Sequence, residues 1–172
     1  QGQLRDATSR EMHARRMLED PRADIALREL ILQWFYLDQL VPGDLIPRGE
    51  ETLSDEDQRA LQASMLEETR RFIDHVIQEK GADYHELFNA RYSFVDDRLA
   101  RHYGVEDQVG PMDALGYMKV EWTRRAGLLG LASFLSQHHG PTHRGLLIRN
   151  ALMCGAVPGP PPGAELEAPE TF

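Results

Sequence analysis

The stretch TRRAGLLGLASFLSQHHGPTHRGLLIRNALMCGAVPGPPP, residues 123–162, contains the features that decide the fold of this chain. Apolar residues recur at helical spacing in two runs, Ala126–Leu135 and Leu146–Met153, and this pattern predicts two helices. A polar segment, which we call the elbow, separates the two runs and contains most of the groups capable of chemistry in this stretch: His138, His139, His143 and Arg144. We therefore expect a helical fold whose candidate functional residues lie in the elbow.

The composition of the whole chain is that of an ordinary globular protein. Its 172 residues are enough for one domain with a sizeable core, with 41% hydrophobic and 27% charged residues. The net charge of −9 disfavours nonspecific binding to nucleic acid or to anionic membranes, because both require a basic surface. No apolar run approaches the ~20 residues of a membrane span. We predict neither a nucleic-acid partner nor a membrane span.

Two helices are predicted in the first 40 residues. Thr8–Glu11 fits a capping box that begins a short helix, and Asp20 then precedes Pro21 as the N-cap of a second helix. The second helix has a broad apolar face at helical spacing: Leu27, Leu30, Ile31, Trp34, Phe35 and Leu37. We expect Trp34 to be a buried structural residue of this helix, which ends at Val41-Pro42-Gly43.

Three further helix starts are marked by capping residues. Ser54 precedes three acidic residues and predicts a long helix that ends at Lys80-Gly81. Asp83 and Asp96 are the N-caps expected for two short helices, the second of which ends at Gly104. Residues 105–116 have the composition of a loop, and the alternation of apolar and polar residues over 118–122 predicts a short strand or extended segment.

These patterns predict a mainly α fold, an orthogonal multi-helix array with long loops and a proline-rich C-terminal tail. The tail, Val157–Phe172, favours polyproline II and has too few apolar residues to fold alone. We interpret it as a linker or a strap over the surface.

The histidines of the elbow are weak candidates for a metal site. Imidazole is a good ligand for zinc, copper or iron. However, Gly140-Pro141 interrupts any helical spacing, and no HExxH, CxxC or nearby carboxylate accompanies the histidines. We therefore predict no metal site, and we expect these histidines to cap helices or to hydrogen-bond a neighbour.

Motifs for haem attachment and nucleophilic catalysis are missing from the sequence. The residues around Cys154 do not form CxxCH, and Ser133 and Ser136 are not part of a GxSxG motif. We predict no cofactor in this chain. Cys154 follows an apolar run, which indicates either a buried thiol or one half of a disulfide with a cysteine outside this chain.

An ordered series of segments carries a resemblance to known families: ARRMLEDPRA (14–23), LILQWFYLDQL (30–40), SMLEETRRFIDHVI (64–77), LFNARYSFVDDRLARHYG (87–104), RRAGLLGLASFL (124–135) and THRGLLIRNALMCGAVPGPPP (142–162). The series resembles the adjoining domain-of-unknown-function families 1592 and 1588, which occur in planctomycete-type and myxobacterial secreted proteins, often beside c-type cytochrome domains. Residues 1–104 resemble the first family and residues 117–166 the second, with a connecting loop over 105–116 and a tail over 167–172. We expect the two regions to form one compact unit.

The resemblance implies a context rather than an activity. It implies an exported, periplasmic or extracellular protein of which this chain is one portion. Flanking domains, c-type cytochrome domains among them, would be its partners and would hold any haem. The families supply no catalytic residue. Arg125 and Gly127 match the motif of the second family at its first helix, and Arg144 and Gly145 match it near the elbow, with HHGPTHRG where Ser-Pro before the arginine is more usual.

We therefore expect a structural or interaction module of a larger cytochrome-associated protein. The alternative is a redox or hydrolytic enzyme domain with its site at the elbow, and a second alternative is a carbohydrate-binding module. Because an arginine near a helix N-terminus is unfavourable, we also predict that Arg144 pairs with a carboxylate of the N-terminal half: Glu67, Asp96 or Asp97.

Overall fold

The structure of the chain is a computed structural model, and it describes residues 6–38, 53–79, 81, 83–108, 110–138 and 140–159. Within these ranges the chain is mainly α, as predicted, with seven α-helices and two short strands. The elements are α1 (Ala7–Leu18), α2 (Arg22–Trp34), α3 (Asp55–Glu79), α4 (Tyr84–Asn89), β1 (Tyr92–Val95), α5 (Asp97–Tyr103), β2 (Met118–Glu121), α6 (Ala132–Gln137) and α7 (Pro141–Leu147). The chain divides into two compact units, Gln1–His139 and Gly140–Phe172.

Side-chain caps set most of the helix starts. Ser54 Oγ accepts the Asp57 N–H at 3.1 Å at the start of α3, and the carboxylates of Asp83 and Asp96 cap α4 and α5, all as predicted. The predicted helix α1 is confirmed, but its capping residue is two positions earlier than the sequence indicated, because the Asp6 carboxylate accepts the Ser9 N–H at 2.7 Å and the helix begins at Ala7.

The start of α2 agrees with the sequence to within one residue. The carboxylate of Asp20 accepts the N–H of Arg22 at 3.0 Å, and Pro21 has helical dihedral angles. The prediction that this helix continues to 41–43 was wrong, because α2 ends at Trp34 and the described residues that directly follow it are not helical.

Helix α3 is the longest of the described helices and contributes five apolar side chains to the core of the first unit. Its buried apolar side chains are Leu61, Met65, Phe72, Ile73 and Val76. Trp34 does not belong to the core, contrary to our prediction, since 46% of its surface is exposed. The chain leaves the helical path after Trp34 and passes through Tyr36 with φ of 54°, and the flanking Phe35 and Leu37 are fully buried.

Two strands form a small antiparallel sheet. Tyr92 pairs with Glu121 and Val95 with Met118, so that the sheet joins the segment before α5 to the segment after the long loop. The strand at 118–121 was predicted by its alternation, and Met118 and Val120 are buried. Strand β1 was not predicted, because its four residues lie between two capped helices.

The predicted helix Ala126–Leu135 forms only in part. Gly127 has φ of 53°, and a Cβ there would lie 2.3 Å from the carbonyl oxygen of Leu87. Its N–H donates to the carbonyl of Ala90 at 2.8 Å. Only glycine fits so close to the Leu87 backbone, and its positive φ is not helical. The helix therefore does not start at 126: a 3₁₀ turn forms at Leu128–Gly130, and α6 begins at Ala132.

The second unit begins with α7 and continues as a π-helical turn, Ile148–Leu152, which agrees with the predicted apolar helix. Gly140 is the N-cap of α7 and Pro141 is its first residue, and no side-chain cap hydrogen bond is made there. Cys154 is exposed with φ of 49°, which excludes the buried thiol. Most of the predicted tail, from residue 160 onward, lies outside the described residues. Among the described helices, none is long and apolar enough to span a membrane.

Candidate functional site

The structure divides the elbow between the two units. His138 closes α6 in the first unit, where its Nε2 lies 3.1 Å from the carbonyl oxygen of Phe35 and its ring lies 4.9 Å from the ring of Phe134. His143 and Arg144 belong to α7 of the second unit, and His139 lies outside the described residues. The hydrogen bond of His138 agrees with the expectation that these histidines contact a neighbour. A shared site in the elbow and the pairing of Arg144 with Glu67, Asp96 or Asp97 stay predictions.

The carboxylates suggested for Arg144 have other contacts within the first unit. Glu67 accepts from Arg71 Nε at 2.9 Å, and Asp96 accepts from the hydroxyl of Ser64 at 2.6 Å in addition to capping α5. Across the part of the chain that the structure describes, no group of three or more His, Cys, Asp or Glu side chains is placed to hold a metal ion.

Arg125 lies in a cluster with two aromatic rings. Its Nη1 donates to the carbonyl of Gly130 at 2.9 Å, and its guanidinium lies 4.8 Å from the ring of Tyr103 and 5.5 Å from that of Trp122. Cation–π contacts of partly buried arginines stabilise by about 0.5–2 kcal/mol. The side chain therefore fixes the turn before α6 against α5.

A fully buried carboxylate, Glu68, lies beside this cluster. Its two oxygens accept from the hydroxyls of Ser93 and Tyr103, both at 2.6 Å, and the Tyr103 hydroxyl also accepts the Ala132 N–H at 2.8 Å. These hydrogen bonds join α3 to β1, α5 and α6. Glu68 is 0% exposed and its named partners are all internal, so this network links elements within the core.

Burial changes the acidity of this network. Desolvation raises the pKa of Glu68 from 4.5 to about 7, and the hydrogen bonds from Ser93 and Tyr103 and the charge of Arg125 oppose the rise only in part. Burial and the adjacent Glu68 also raise the pKa of Tyr103 well above its ordinary value.

An open cleft of about 500 Å³ lies between α3 and the small sheet. One face of α3 contributes Arg71, Asp74, His75, Gln78 and Glu79. The remaining lining comes from the two strands and the segment before β2: Phe94, Pro111, Met112, Asp113, Tyr117 and Lys119. All these residues belong to the first unit. The volume falls within the range of small-molecule sites, 300–1,000 Å³, and we call this feature the α3 cleft.

The charged side chains of the α3 cleft are joined in pairs of opposite sign. Arg71 contacts Glu67 and Asp113, the latter through a hydrogen bond from Nη1 to Oδ2. Asp74 Oδ2 lies 2.6 Å from Arg28 Nη1. These partners hold Arg71, Asp74 and Asp113 in place, whereas Glu79 contacts the ring of His75 and Lys119 lies over the ring of Tyr92. Charges of both signs therefore line the cleft.

Asp113 also shapes the loop that borders the cleft. Its Oδ1 accepts the N–H groups of Leu115 and Tyr117 at 2.8 and 3.0 Å. The Tyr117 N–H is the largest cause of the lowered pKa of Asp113, so the carboxylate is charged at neutral pH. The loop therefore presents Tyr117 to the cleft in a fixed position.

Aromatic rings complete the lining. Arg71 lies over the ring of Tyr117 with its guanidinium carbon 4.2 Å from the ring centroid. Lys119 Nζ lies 4.0 Å from the centroid of the neighbouring Tyr92, and the rings of His75 and Phe94 are 5.1 Å apart. The cleft thus combines fixed donors and acceptors with partly exposed rings.

Sequence reasoning missed the α3 cleft. Arg71, Asp74, His75 and Gln78 recur at a spacing of three or four residues and form a polar face of α3, but a solvated helix surface has the same pattern. The opposite wall comes from residues 111–119, which only the pairing of β1 with β2 brings to α3.

Comparison with known proteins places the chain in a family. A helical fold with a small antiparallel sheet and a polar cleft occurs in proteins of many functions, so the fold alone does not tell what the chain does. The model of the family described as "PSD4: Protein of unknown function (DUF1592)" matches residues 1–105, more than half of the chain. The chain belongs to this family, and its resemblance to the family numbered 1592 is confirmed. No curated protein and no solved structure is detectably similar to it.

Proposed function

We propose that the chain is a structural and interaction module of a larger exported bacterial protein, in which helices α1 and α2 dock on a neighbouring domain of the same polypeptide. The observation that carries this proposal is the number of large apolar side chains that the two helices expose. Their exposed large apolar side chains are Met12, Met17, Leu18, Ile25, Leu30 and Trp34, each at least 46% exposed. Such groups mark interaction sites when they cluster.

Helix α1 supports the proposal most directly. All twelve of its residues are described and none is buried. An isolated helix of this length is marginal in water, since most helix stability comes from tertiary packing. The family match includes α1, so the helix is part of the family's module. A partner surface that covers Met12 and Met17 would add tertiary packing to α1, and methionine adapts readily to such a surface.

The wider context of the proposal comes from the resemblance of residues 117–166 to the second family. It supports a periplasmic or extracellular location and c-type cytochrome domains as neighbours in the parent protein. The buried Glu68 and the paired Arg71 favour a scaffold over an enzyme, because their polar atoms join elements to one another.

Photocrosslinking in the parent protein tests the docking of α1. A photoreactive amino acid in place of Met17 is expected to form crosslinks to a neighbouring domain, identified by mass spectrometry. The same group at Glu106, an exposed position of the first unit, serves as the matched control. Crosslinks from the two positions in equal yield, or none from Met17, would contradict the proposal.

A further inference from the structure

We propose that the α3 cleft binds a neutral, polyhydroxylated ring, such as one or two sugar units of an oligosaccharide. The inference uses none of the residues of α1 and α2, and it is therefore independent of the docking proposed above. Its starting point is the fixed arrangement of paired charges and partly exposed rings around a volume of about 500 Å³.

The charge balance of the cleft selects a neutral ligand. An anion would meet Asp74, Glu79 and Asp113, and a cation would meet Arg71 and Lys119. An ion that replaced a partner in a pair such as Arg71–Asp113 would leave the other charge of that pair without its contact, and this loss offsets the gain. A ligand without charge leaves these pairs intact.

The side chains of these pairs can form further hydrogen bonds with the hydroxyl groups of a ligand. A carboxylate has about four acceptor sites and a guanidinium five N–H donors. Arg71 uses Nε toward Glu67 and Nη1 toward Asp113, so further N–H groups of its fork are available for a ligand oxygen. Exposed carboxylate oxygens of Asp113 and Glu79 can accept hydroxyl protons. Adjacent donors and acceptors at fixed positions match the neighbouring hydroxyls of a sugar.

The rings of the lining provide the apolar half of the recognition. Tyr117 and Phe94 are partly exposed on the cleft, and an aromatic face packs against the C–H face of a sugar ring as it does against other apolar groups. The guanidinium of Arg71 covers one face of the Tyr117 ring. That contact and the turn at Asp113 hold the ring in place before a ligand arrives, which reduces the ordering cost of binding.

A glycan array tests the ligand class. The purified chain is applied to an array that carries neutral, uronate-containing, sulfated and amine-bearing oligosaccharides. We expect binding to neutral glycans, with little dependence on salt. Binding only to charged glycans, or to none, would overturn the inference.

Variants of the cleft test the site. Tyr117→Ala removes the ring, and Arg71→Lys retains the charge but loses the planar fork. Each is expected to weaken binding of the best array ligand at least about tenfold in titration calorimetry, while circular dichroism shows an unchanged fold. Tyr84→Ala removes an exposed tyrosine that does not line the cleft and should bind like the wild type. Unchanged affinity in both folded cleft variants would place the ligand elsewhere and refute the assignment.

Discussion

At the scale of single residues, buried polar groups of the first unit link the elements of its core through hydrogen bonds. Glu68 is the extreme case, because a carboxylate is almost never fully buried without compensation. The hydroxyls of Ser93 and Tyr103 provide that compensation at 2.6 Å each, and Arg125 adds a favourable charge. The network links elements that are distant in sequence. Burial within it raises the pKa of Glu68 to about 7.

The raised pKa predicts a specific pH dependence of stability. Between pH 4.5 and about 7 the folded protein retains a proton on Glu68 that the unfolded chain has lost. The free energy of unfolding contributed by this group therefore falls as pH rises through that window, by on the order of 3 kcal/mol. Glu68→Gln should remove this contribution, since an amide does not titrate.

Urea denaturation of wild type and Glu68→Gln from pH 4.5 to 7.5 measures the difference. The other carboxylates act equally in both proteins, so the difference between the two unfolding free energies isolates Glu68. Asp96 and Arg125 are the charged neighbours that could alter its size. Glu106→Gln, an exposed exchange, should follow the wild-type curve. A difference that stays constant with pH would show that Glu68 titrates near its ordinary value.

At the scale of elements, caps were predictable from the sequence and non-local contacts were not. Asp83, Asp96 and Ser54 act within three residues of themselves, so their helices begin where local chemistry places them. Strand β1 exists because it pairs with β2 some 25 residues later, as the register Tyr92–Glu121 shows. The turn at Gly127 likewise depends on the backbone of Leu87, which no local pattern reveals.

The same distinction explains the candidate site. The elbow was chosen because four polar residues are close in sequence, and the structure assigns His138 to one unit and Arg144 to the other. The α3 cleft forms from groups more than 40 residues apart, such as Arg71 and Asp113. Its position therefore could not be predicted before the strand pairing was known.

The end of α2 gives a prediction at this scale. Helical spacing predicts that both Trp34 and Phe35 lie on the apolar face of this helix. In the structure Trp34 is 46% exposed, whereas Phe35 is fully buried. Phe35→Ala is expected to lower the free energy of unfolding by about 3–5 kcal/mol, since it leaves a cavity. Trp34→Ala should cost under about 1 kcal/mol in the purified chain.

Chemical denaturation of the two variants, compared with wild type, gives both values. Trp34 is also one of the apolar residues assigned to docking, so its effect should rise in the parent protein if a domain covers it. Equal destabilisation of the purified chain by both substitutions would mean that Trp34 packs in the core after all.

At the scale of the whole molecule, the chain consists of a first unit built around α3 and a second unit that begins at Gly140. The first contains the buried Glu68 network, the α3 cleft and the exposed apolar side chains of α1 and α2. A scaffold that docks through one surface and binds a glycan through another needs no catalytic group. Both proposals are therefore compatible with a family that has no assigned activity.

The last prediction concerns Cys154 in the parent protein. The thiol is exposed in the second unit, directly after the π-helical turn Ile148–Leu152. An exposed cysteine in an exported protein meets an oxidising environment, where disulfides form and persist. We therefore expect Cys154 to pair with a cysteine outside this chain, which would fasten the second unit to the next domain.

Alkylation before and after reduction, read by peptide mass spectrometry, tests this pairing. In the parent protein Cys154 should be unreactive until a reductant is added, whereas in the purified chain it should react at once. In the parent protein Cys154→Ser should leave one new reactive thiol, and the position of that thiol identifies the partner. If Cys154 of the parent reacts without reductant, the disulfide does not exist.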